Sequence, residues 1–228
     1  MRLAALALLL AAAAPVAANA GKPVVVELFT SQGCSSCPPA DDYLRSLATS
    51  GDDVLPLAFH VTYWNQLGWS DPYSLEAGTQ RQRLYATLLG QRQIYTPQMV
   101  IDGRWQAVGS DRAAVGRLIR DAAAKTQAVA IEARRDGAEL SIRIGASPAA
   151  GRGLVLLVGY DPEHRTAIGR GENGGRTLTE ANIVRSLDIA GEWRGESLGL
   201  RVPLGDGARF AVLLQGEDGR IIGAARAD

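Results

Sequence analysis

The pattern of hydrophobic and polar residues predicts alternating strands and helices in the first half of the chain. Continuous β-branched apolar runs are typical of strands buried on both faces, whereas apolar residues at helical spacing indicate amphipathic helices. The predicted order is β-α-β-α-β-β-α, with an Asp102-Gly103 turn inside the hairpin and Ser110 as the cap of the last helix. The strands are predicted at 24–29, 54–61, 98–101 and 105–108, and the helices at 40–48, 75–89 and 110–122.

The second half of the chain changes to short strands separated by Gly-containing turns. Regularly spaced strands of this kind are typical of β-sandwiches, so we expect a β-rich, sandwich-like unit there. The predicted fold class is therefore α/β, with a first domain at 21–126 and a β-rich C-terminal domain at 127–228. Strands are predicted at 128–133, 139–144, 154–160, 183–189, 198–202, 210–215 and 221–224.

The first twenty residues have the features of a cleavable export signal. Arg2 precedes a short Leu- and Ala-rich run that is broken at Pro15 and ends in Ala18-Asn19-Ala20, an A-x-A cleavage site. An uncleaved membrane anchor is the alternative, but the run is shorter than the ~20 apolar residues that cross a bilayer. We expect a periplasmic or secreted protein with no membrane association after cleavage.

The charge balance argues against a nucleic-acid partner. The 228 residues include 24 basic and 24 acidic side chains, so the formal net charge is zero. Without a basic excess, neither nucleic acid nor an anionic membrane surface is an expected ligand. The sequence carries no signal of the oligomeric state.

Cysteine usage gives the sharpest indication of chemistry. The chain has two cysteines, Cys34 and Cys37, and a disulfide across so small a loop stabilises a fold little. At the start of a helix, the dipole and free N–H groups lower a thiol pKa, which makes Cys34 the candidate nucleophile and Cys37 the resolving thiol. A structural zinc site would need four ligands, whereas His60 and His164 are the only histidines. The alternative is a local disulfide that only fixes the start of the helix.

With these motifs in place, the chain resembles the thioredoxin superfamily over residues 24–124. The segments that carry the resemblance are a strand, Cys34-x-x-Cys37-Pro38 before a helix, and Thr96-Pro97 before a later strand. The resemblance implies a thioredoxin-like domain with a helical insertion, a cis peptide bond at Pro97, and pairing of the Thr96 backbone with a substrate peptide. The segments 27–41, 60–65 and 95–99 resemble, more narrowly, an exported thioredoxin-like family catalogued as a domain of unknown function.

Three further residues are candidates for the site, each with a structural alternative. Thioredoxins carry a buried acid near the dithiol, a role for which Glu27 is the candidate unless it points to solvent or pairs with a cation. His60 is expected near the dithiol, where it would contact substrate, unless it is a satisfied structural histidine. Trp64 belongs to an aromatic group that either walls a substrate groove or covers core; the others are Tyr63, Trp69, Tyr73 and Tyr85.

One motif is rejected as a nucleotide site. Residues 169–174 formally fit G-x-G-x-x-G, but a dinucleotide fingerprint needs a strand before it and a helix after it, and here a strand is predicted to follow. We interpret the segment as a flexible or ligand-contacting loop.

The sequence thus predicts an exported thiol-disulfide oxidoreductase. Its expected partners are protein or small-molecule thiols and disulfides, and no cofactor or resident metal is expected. One alternative is a Cu(I)-handling protein that uses Cys34, Cys37 and His60, since soft thiolates favour Cu(I). Another is a redox-inactive thioredoxin-fold module whose β-rich unit binds a ligand or protein.

Overall fold

The protein has a mixed α/β fold with a large, mostly antiparallel sheet and few helices. The structure is a computed structural model that describes residues 22–51, 53–125 and 129–227, so the predicted signal peptide lies outside the described residues. The helices are α1 (Pro38–Ala48), α2 (Glu76–Leu88) and α3 (Arg112–Ala123), with a short 3₁₀ turn at Pro148–Ala150. The strands are β1 (Val24–Thr30), β2 (Val54–His60), β3 (Gln98–Ile101), β4 (Trp105–Val108), β5 (Ile131–Asp136), β6 (Glu139–Ile144), β7 (Gly153–Ala167), β8 (Thr177–Trp193), β9 (Leu198–Pro203), β10 (Arg209–Gly216) and β11 (Ile221–Ala227).

The element order predicted for the first half, β-α-β-α-β-β-α, is confirmed. β1 is buried along its whole length and pairs in parallel with β2 and antiparallel with β3, as its continuous apolar run predicts. The cap of α3 was predicted wrongly. Asp111, not Ser110, is the N-cap, because its side chain accepts a hydrogen bond from the Ala114 N–H at 2.9 Å.

The strands of the second half are divided between two sheets. Four of them extend the first-half sheet, which has eight strands in the order β11-β10-β7-β8-β2-β1-β3-β4. The other three form a separate sheet in the order β5-β6-β9. The predicted boundary at residues 126 and 127 lies outside the described residues, but the eight-stranded sheet includes strands from both sides of it. Sequence periodicity identifies strands without showing which strands pair, and this is why the shared sheet was not foreseen.

A long hairpin joins the two halves. β7 and β8 are 15 and 17 residues long, far beyond their predicted bounds, and β8 pairs in parallel with β2 where Ala58 meets Ile183. Nearby, the Asn182 side chain donates to the carbonyl of Pro56 at 2.8 Å. β8 therefore runs beside the carboxyl end of β2, where Thr30 and His60 end the parallel pair β1 and β2.

Three apolar clusters cover the faces of the large sheet. Val26 and Leu28 of β1 pack against α1 and α3, while Val25 and Phe29 face the other side, where Tyr85 of α2 lies. The three-stranded sheet packs over β7 and β10 in a sandwich-like layer. No helix in the described part of the chain is long and apolar enough to cross a membrane.

Candidate functional site

The two cysteines form a disulfide where the loop after β1 enters α1. Cys37 occupies the N-cap of α1, with the Cα atoms of Cys34 and Cys37 5.4 Å apart. Two tight turns shape this loop: the N–H of Cys34 donates to Ser31 O at 3.1 Å, and the N–H of Cys37 donates to Cys34 O at 3.2 Å. Prolines at the first helical positions suit a helix start, because the N–H groups there lack intrahelical partners. The disulfide therefore lies at the positive end of the α1 dipole.

The disulfide is covered by the segment that links β7 to β8, residues 168–176. Both cysteines are fully buried, although Ser35 and Ser36 between them are exposed. Asn173 of the segment is also fully buried, and its side-chain amide donates to Gln32 O and to Cys34 O, each at 2.9 Å. The carboxylate of Glu172 accepts from the Ser35 N–H at 2.9 Å. We call residues 168–176 the covering loop.

The covering loop contains the rejected G-x-G-x-x-G motif. β8 follows it directly, so the strand-helix frame of a dinucleotide site is absent at this place. The loop is closed by its own bonds, including Ile168 N–H to Arg176 O at 2.8 Å. Its contact with the dithiol was not foreseen, because sequence gives no distance between positions so far apart.

Thr96, Pro97 and Trp64 lie close to the start of α1. The Thr96–Pro97 peptide is cis, as the family resemblance implied. A Cβ atom at Gly109 would lie 3.0 Å from Ala40 Cβ and 3.3 Å from Pro97 Cβ, so Pro97 approaches the first turn of α1 closely. The Trp64 indole N–H donates to Thr96 Oγ1 at 2.7 Å. The structure therefore brings Trp64 and Thr96 into contact and places Pro97 near the first turn of α1.

His60 is fully buried in a cluster of acids. Its Nδ1 lies 2.8 Å from Asp71 Oδ2, which also accepts from the Gln32 N–H at 2.9 Å. The side chain of Gln32 donates to Glu180 Oε2 at 2.6 Å, and His60 Nε2 lies 3.8 Å from Glu180 Oε1. His60 has no exposed surface, and its predicted contact with substrate stays a prediction.

The same cluster contains Asp41 of α1. Its Oδ1 accepts from the Thr30 hydroxyl at 2.7 Å, and its backbone N–H donates to Cys37 O at 3.1 Å. Three buried atoms of the cluster have no hydrogen-bond partner within the described residues: Asp41 Oδ2, His60 Nε2 and Glu180 Oε1. Buried polar atoms are nearly always paired, so three unpaired atoms in one cluster mark a place of functional interest.

Burial and mutual charge shift the pKa values in this cluster. Burial, with the nearby Glu180 charge, raises the pKa of Asp41 to about 8. Burial also raises the pKa of Glu180 above its ordinary value. Burial alone would lower the pKa of His60, but the charges of Asp71 and Glu180 outweigh it and raise that pKa to about 9. Burial opposes the ionisation of Asp71, yet the His60 charge and hydrogen bonds lower its pKa.

Glu27 belongs to a different cluster on the opposite face of the sheet. Its neighbours Val26 and Leu28 face α1, and because side chains alternate along a strand, Glu27 faces α2. There it forms a buried ion pair with Arg81 and accepts from the Tyr85 hydroxyl. The alternative in which Glu27 pairs with a cation is therefore the one that the structure shows, and Glu27 is not oriented toward the dithiol.

The described residues hold no group of three or more His, Cys, Asp or Glu side chains arranged to bind a metal ion. The members of the predicted aromatic group have different surroundings. Tyr85 is core, Trp69 donates to Gln32 Oε1 at 3.1 Å, and the Tyr73 ring lies edge-on to His60 at 5.8 Å between centroids.

Sequence reasoning missed Asp41, Asp71, Glu180 and Asn173. Asp41 lies four residues after Cys37, a spacing that places two side chains on one helical face, and that signal was available. Asp71, Glu180 and Asn173 come from segments far from Cys37 along the chain. The covering loop and β8, which hold Asn173 and Glu180, come near the start of α1 because β8 pairs with β2.

Comparisons with known proteins give one family of unknown function and two solved structures that are similar to this chain. A family model described as "Protein of unknown function (DUF1223)" matches residues 25–215. The chain is similar to protein AGR_C_4864 from Agrobacterium tumefaciens, with 33% identity and a TM-score of 0.78 over 92% of this chain and 95% of that chain. It also resembles HBP35 of Porphyromonas gingivalis, with 13% identity and a TM-score of 0.57 over 90% of this chain and 74% of that chain. None of the curated proteins matches the chain.

Proposed function

Since the chain belongs to the DUF1223 family, whose function is unknown, we propose its activity from the site itself: an exported thiol-disulfide oxidoreductase on a thioredoxin-like fold. The observation that carries the proposal is the Cys34–Cys37 disulfide at the N-terminus of α1. Its loop is too short for the disulfide to add much stability, whereas the helix start favours a thiolate. The fold assignment is supported by the order from β1 to α3 and by Thr96-Pro97 beside α1.

The proposed reaction is an exchange in which a substrate thiolate attacks Cys34 Sγ. The Cys34–Cys37 bond breaks, its electron pair leaves with Cys37 as a thiolate, and a mixed disulfide forms on Cys34. A second substrate thiol then attacks the mixed disulfide, so the two substrate thiols are oxidised to a disulfide while the protein dithiol is reduced. The reverse reaction reduces a substrate disulfide. Which direction operates depends on the reduction potentials of the pair and of its partners.

Substrate would bind beside Thr96, which Trp64 holds by its indole hydrogen bond. Thr96 is only half-buried, and its backbone N–H and C=O have no hydrogen-bond partner within the described residues. An extended substrate segment would pair with these groups, as in β-augmentation. Because both cysteines are buried, exchange requires the covering loop to move away from Cys34.

The test is the reactivity of the two cysteines toward glutathione. We expect Cys37→Ser to accumulate a mixed disulfide on Cys34 and Cys34→Ser to accumulate none, with Ser35→Ala as the matched control between them. We expect the reduction potential of the pair to lie between about −120 and −270 mV, as in catalytic dithiols, whereas a value below about −300 mV would indicate a structural disulfide. A potential in that lower range, with no mixed disulfide in Cys37→Ser, would exclude the activity.

The covering loop gives a second, independent test. Asn173→Ala removes two hydrogen bonds that hold the loop to Gln32 O and Cys34 O. We expect this variant to be reduced several-fold faster by dithiothreitol than the wild type, with Glu172→Gln changing the rate less because that contact is exposed. An unchanged rate in Asn173→Ala would mean that the loop does not limit access.

A further inference from the structure

An open cleft lies between α2 and the ends of β7, β8 and β10. Its volume is about 470 Å³, within the range of roughly 300–1,000 Å³ that is typical of small-molecule sites. Glu192 of β8 lines the cleft, whereas Glu180, which accepts a hydrogen bond from Gln32 in the dithiol loop, lies twelve positions earlier in the same strand. At ~3.3 Å per residue, this separation is up to roughly 40 Å. The cleft is therefore distinct from the dithiol site.

The walls of the cleft are apolar although they face solvent. Leu84 and Leu88 lie four residues apart on one face of α2, and Leu154 of β7 lines the opposite wall. These leucines are 45%, 39% and 39% exposed, and the described residues include only three other large apolar side chains with comparable exposure. Half of the exposed large apolar side chains thus line one cleft. Apolar surface gathered in this way is typical of a binding site.

The two walls meet at the turn between β10 and β11. A Cβ atom on Gly219 would collide with Leu88 Cδ1, so this leucine packs directly against the backbone of the turn. Beside it, the buried amide group of Gln215 donates to Gly219 O at 2.7 Å and to the Tyr85 hydroxyl at 3.3 Å. The base of the cleft is therefore closed and hydrogen-bonded, and the polar partners of a ligand are the charged residues at its mouth.

Two charged side chains at the mouth lack a partner. Arg152 and Glu217 both line the cleft, and neither side chain has an ion pair or hydrogen bond within the described residues. Arg152 directly precedes Gly153, Glu217 directly follows Gly216, and these two glycines are paired between β7 and β10. The free cation and the free anion are therefore neighbours at one end of the cleft. A ligand that binds both must carry its own two charges close together.

We infer that this cleft binds an α-amino acid with a large apolar side chain. Such a ligand carries a carboxylate for Arg152 and an ammonium group for Glu217 on one carbon atom, and its side chain covers the exposed leucines. The remaining charged residues at the mouth, Arg194 and Glu192, are already bonded to each other at 3.0 Å. An apolar carboxylate without an amine would leave Glu217 beside a second negative charge. The inference is independent of the proposed redox function.

The first experiment is calorimetric titration with three ligands that share one side chain. L-Phenylalanine carries both charges, 3-phenylpropionate lacks the ammonium group, and phenethylamine lacks the carboxylate. We expect phenylalanine to bind at least about tenfold more tightly than either analogue, because each analogue lacks one charge-assisted contact. Equal affinity for 3-phenylpropionate would overturn the inference in favour of a simple carboxylate. Absence of binding by phenylalanine, leucine and tryptophan at millimolar concentration would overturn it altogether.

Two variants separate the roles of the charges at the mouth. Arg152→Gln should weaken phenylalanine and 3-phenylpropionate by about tenfold or more and leave phenethylamine unchanged, whereas Glu217→Gln should weaken phenylalanine and phenethylamine and leave 3-phenylpropionate unchanged. Both side chains are exposed, so the fold does not depend on either. Arg143→Gln is the control, because Arg143 is an exposed arginine of the separate three-stranded sheet, and it should match the wild type. Equal loss for all three ligands in both variants would contradict the assigned contacts.

The position of the ligand is checked by amide NMR shifts during the phenylalanine titration. We expect the backbone N–H signals of Gly153, Gly216 and Gly219 to move with the binding curve, since all three residues line the cleft. The signals of Cys34 and Ser35 should not move. Shifts confined to the covering loop and the dithiol would place the ligand at the other site and overturn the inference, whether or not the protein exchanges disulfides.

Discussion

Two buried carboxylate clusters lie on opposite faces of the same sheet, and they differ in how completely they are hydrogen-bonded. Glu27 of β1 meets Arg81 and Tyr85 of α2, and Gln215 of β10 joins them by accepting from Arg81 at 3.1 Å. The cluster around Asp41 and Glu180 has more acids than cations and leaves three buried atoms unpaired.

We expect this difference to separate a structural role, for the Glu27 cluster, from a chemical role, for the cluster around Asp41 and Glu180. A buried ion pair with all its hydrogen bonds made has one stable protonation state, so it fixes the position of α2 against β1 and β10. Carboxyl groups that lack partners have two protonation states close in free energy, and one of them, Asp41, follows Cys37 of the disulfide by one helical turn.

Breaking the satisfied cluster should cost the most stability. Arg81→Met leaves the Glu27 charge buried without its partner, and we expect the free energy of unfolding in urea to fall by about 3–5 kcal/mol. Arg83→Met, two residues along α2, breaks only an exposed pair with Glu76 and should cost less than about 1 kcal/mol. Equal losses in the two variants would contradict the structural role of the Glu27 cluster.

The unsatisfied cluster should instead show itself in the pH dependence of stability. The folded-state pKa of Asp41 is raised to about 8, so its contribution to stability is complete below its ordinary pKa of 3.8 and is lost as pH rises through 8. One proton gives a slope of at most about 1.4 kcal/mol per pH unit, so Asp41 alone should account for a loss of roughly 2–3 kcal/mol between pH 6 and 8 in the wild type.

Asp41→Asn should flatten this slope without removing it. The pKa of His60 is raised to about 9, so its contribution persists in the variant below 6.5 and is lost as pH rises through 9. Urea unfolding at intervals from pH 5 to 9 measures both slopes, and Asp42→Asn should run parallel to the wild type. If Asp41→Asn kept the full wild-type slope, Asp41 would not be the group that titrates.

Sequence patterns predicted which helices and strands occur, and they predicted that the two cysteines lie where a strand is followed by a helix. The continuous apolar run of β1 and the helical spacing after Cys37 fixed a strand and a helix whose junction holds Cys34. Glu27 was predicted to be the acid near the dithiol. Polar and apolar residues do not alternate along a strand that is buried on both faces, so the sequence of β1 does not show which face of the sheet Glu27 occupies. Glu180 and Asn173 were beyond sequence reasoning, since they reach the site only through the β7–β8 hairpin.

A single hydroxyl in the satisfied cluster gives the third test. Tyr85→Phe removes the donor to the Glu27 carboxylate and an acceptor for Arg81 at 2.8 Å. Hydrogen bonds to charged groups contribute about 1.5–3 kcal/mol, and we expect a loss of that size in urea unfolding, with an unchanged rate of disulfide reduction. Tyr43→Phe is the control, because its hydroxyl has no hydrogen-bond partner within the described residues, and it should cost less than about 0.5 kcal/mol.

The smallest effect is expected from the matching hydroxyl in the unsatisfied cluster. Thr30→Val removes the donor to Asp41 at 2.7 Å while keeping the side-chain shape. At pH 5 Asp41 is neutral, so the loss should be only about 0.5–1.5 kcal/mol. The Thr30 hydrogen bond lowers the pKa of Asp41, so its removal should make the loss larger at pH 9, where the carboxylate forms. A loss at pH 5 as large as that of Tyr85→Phe would mean that Asp41 is already ionised there, and the two clusters would then not differ in the way their hydrogen bonds indicate.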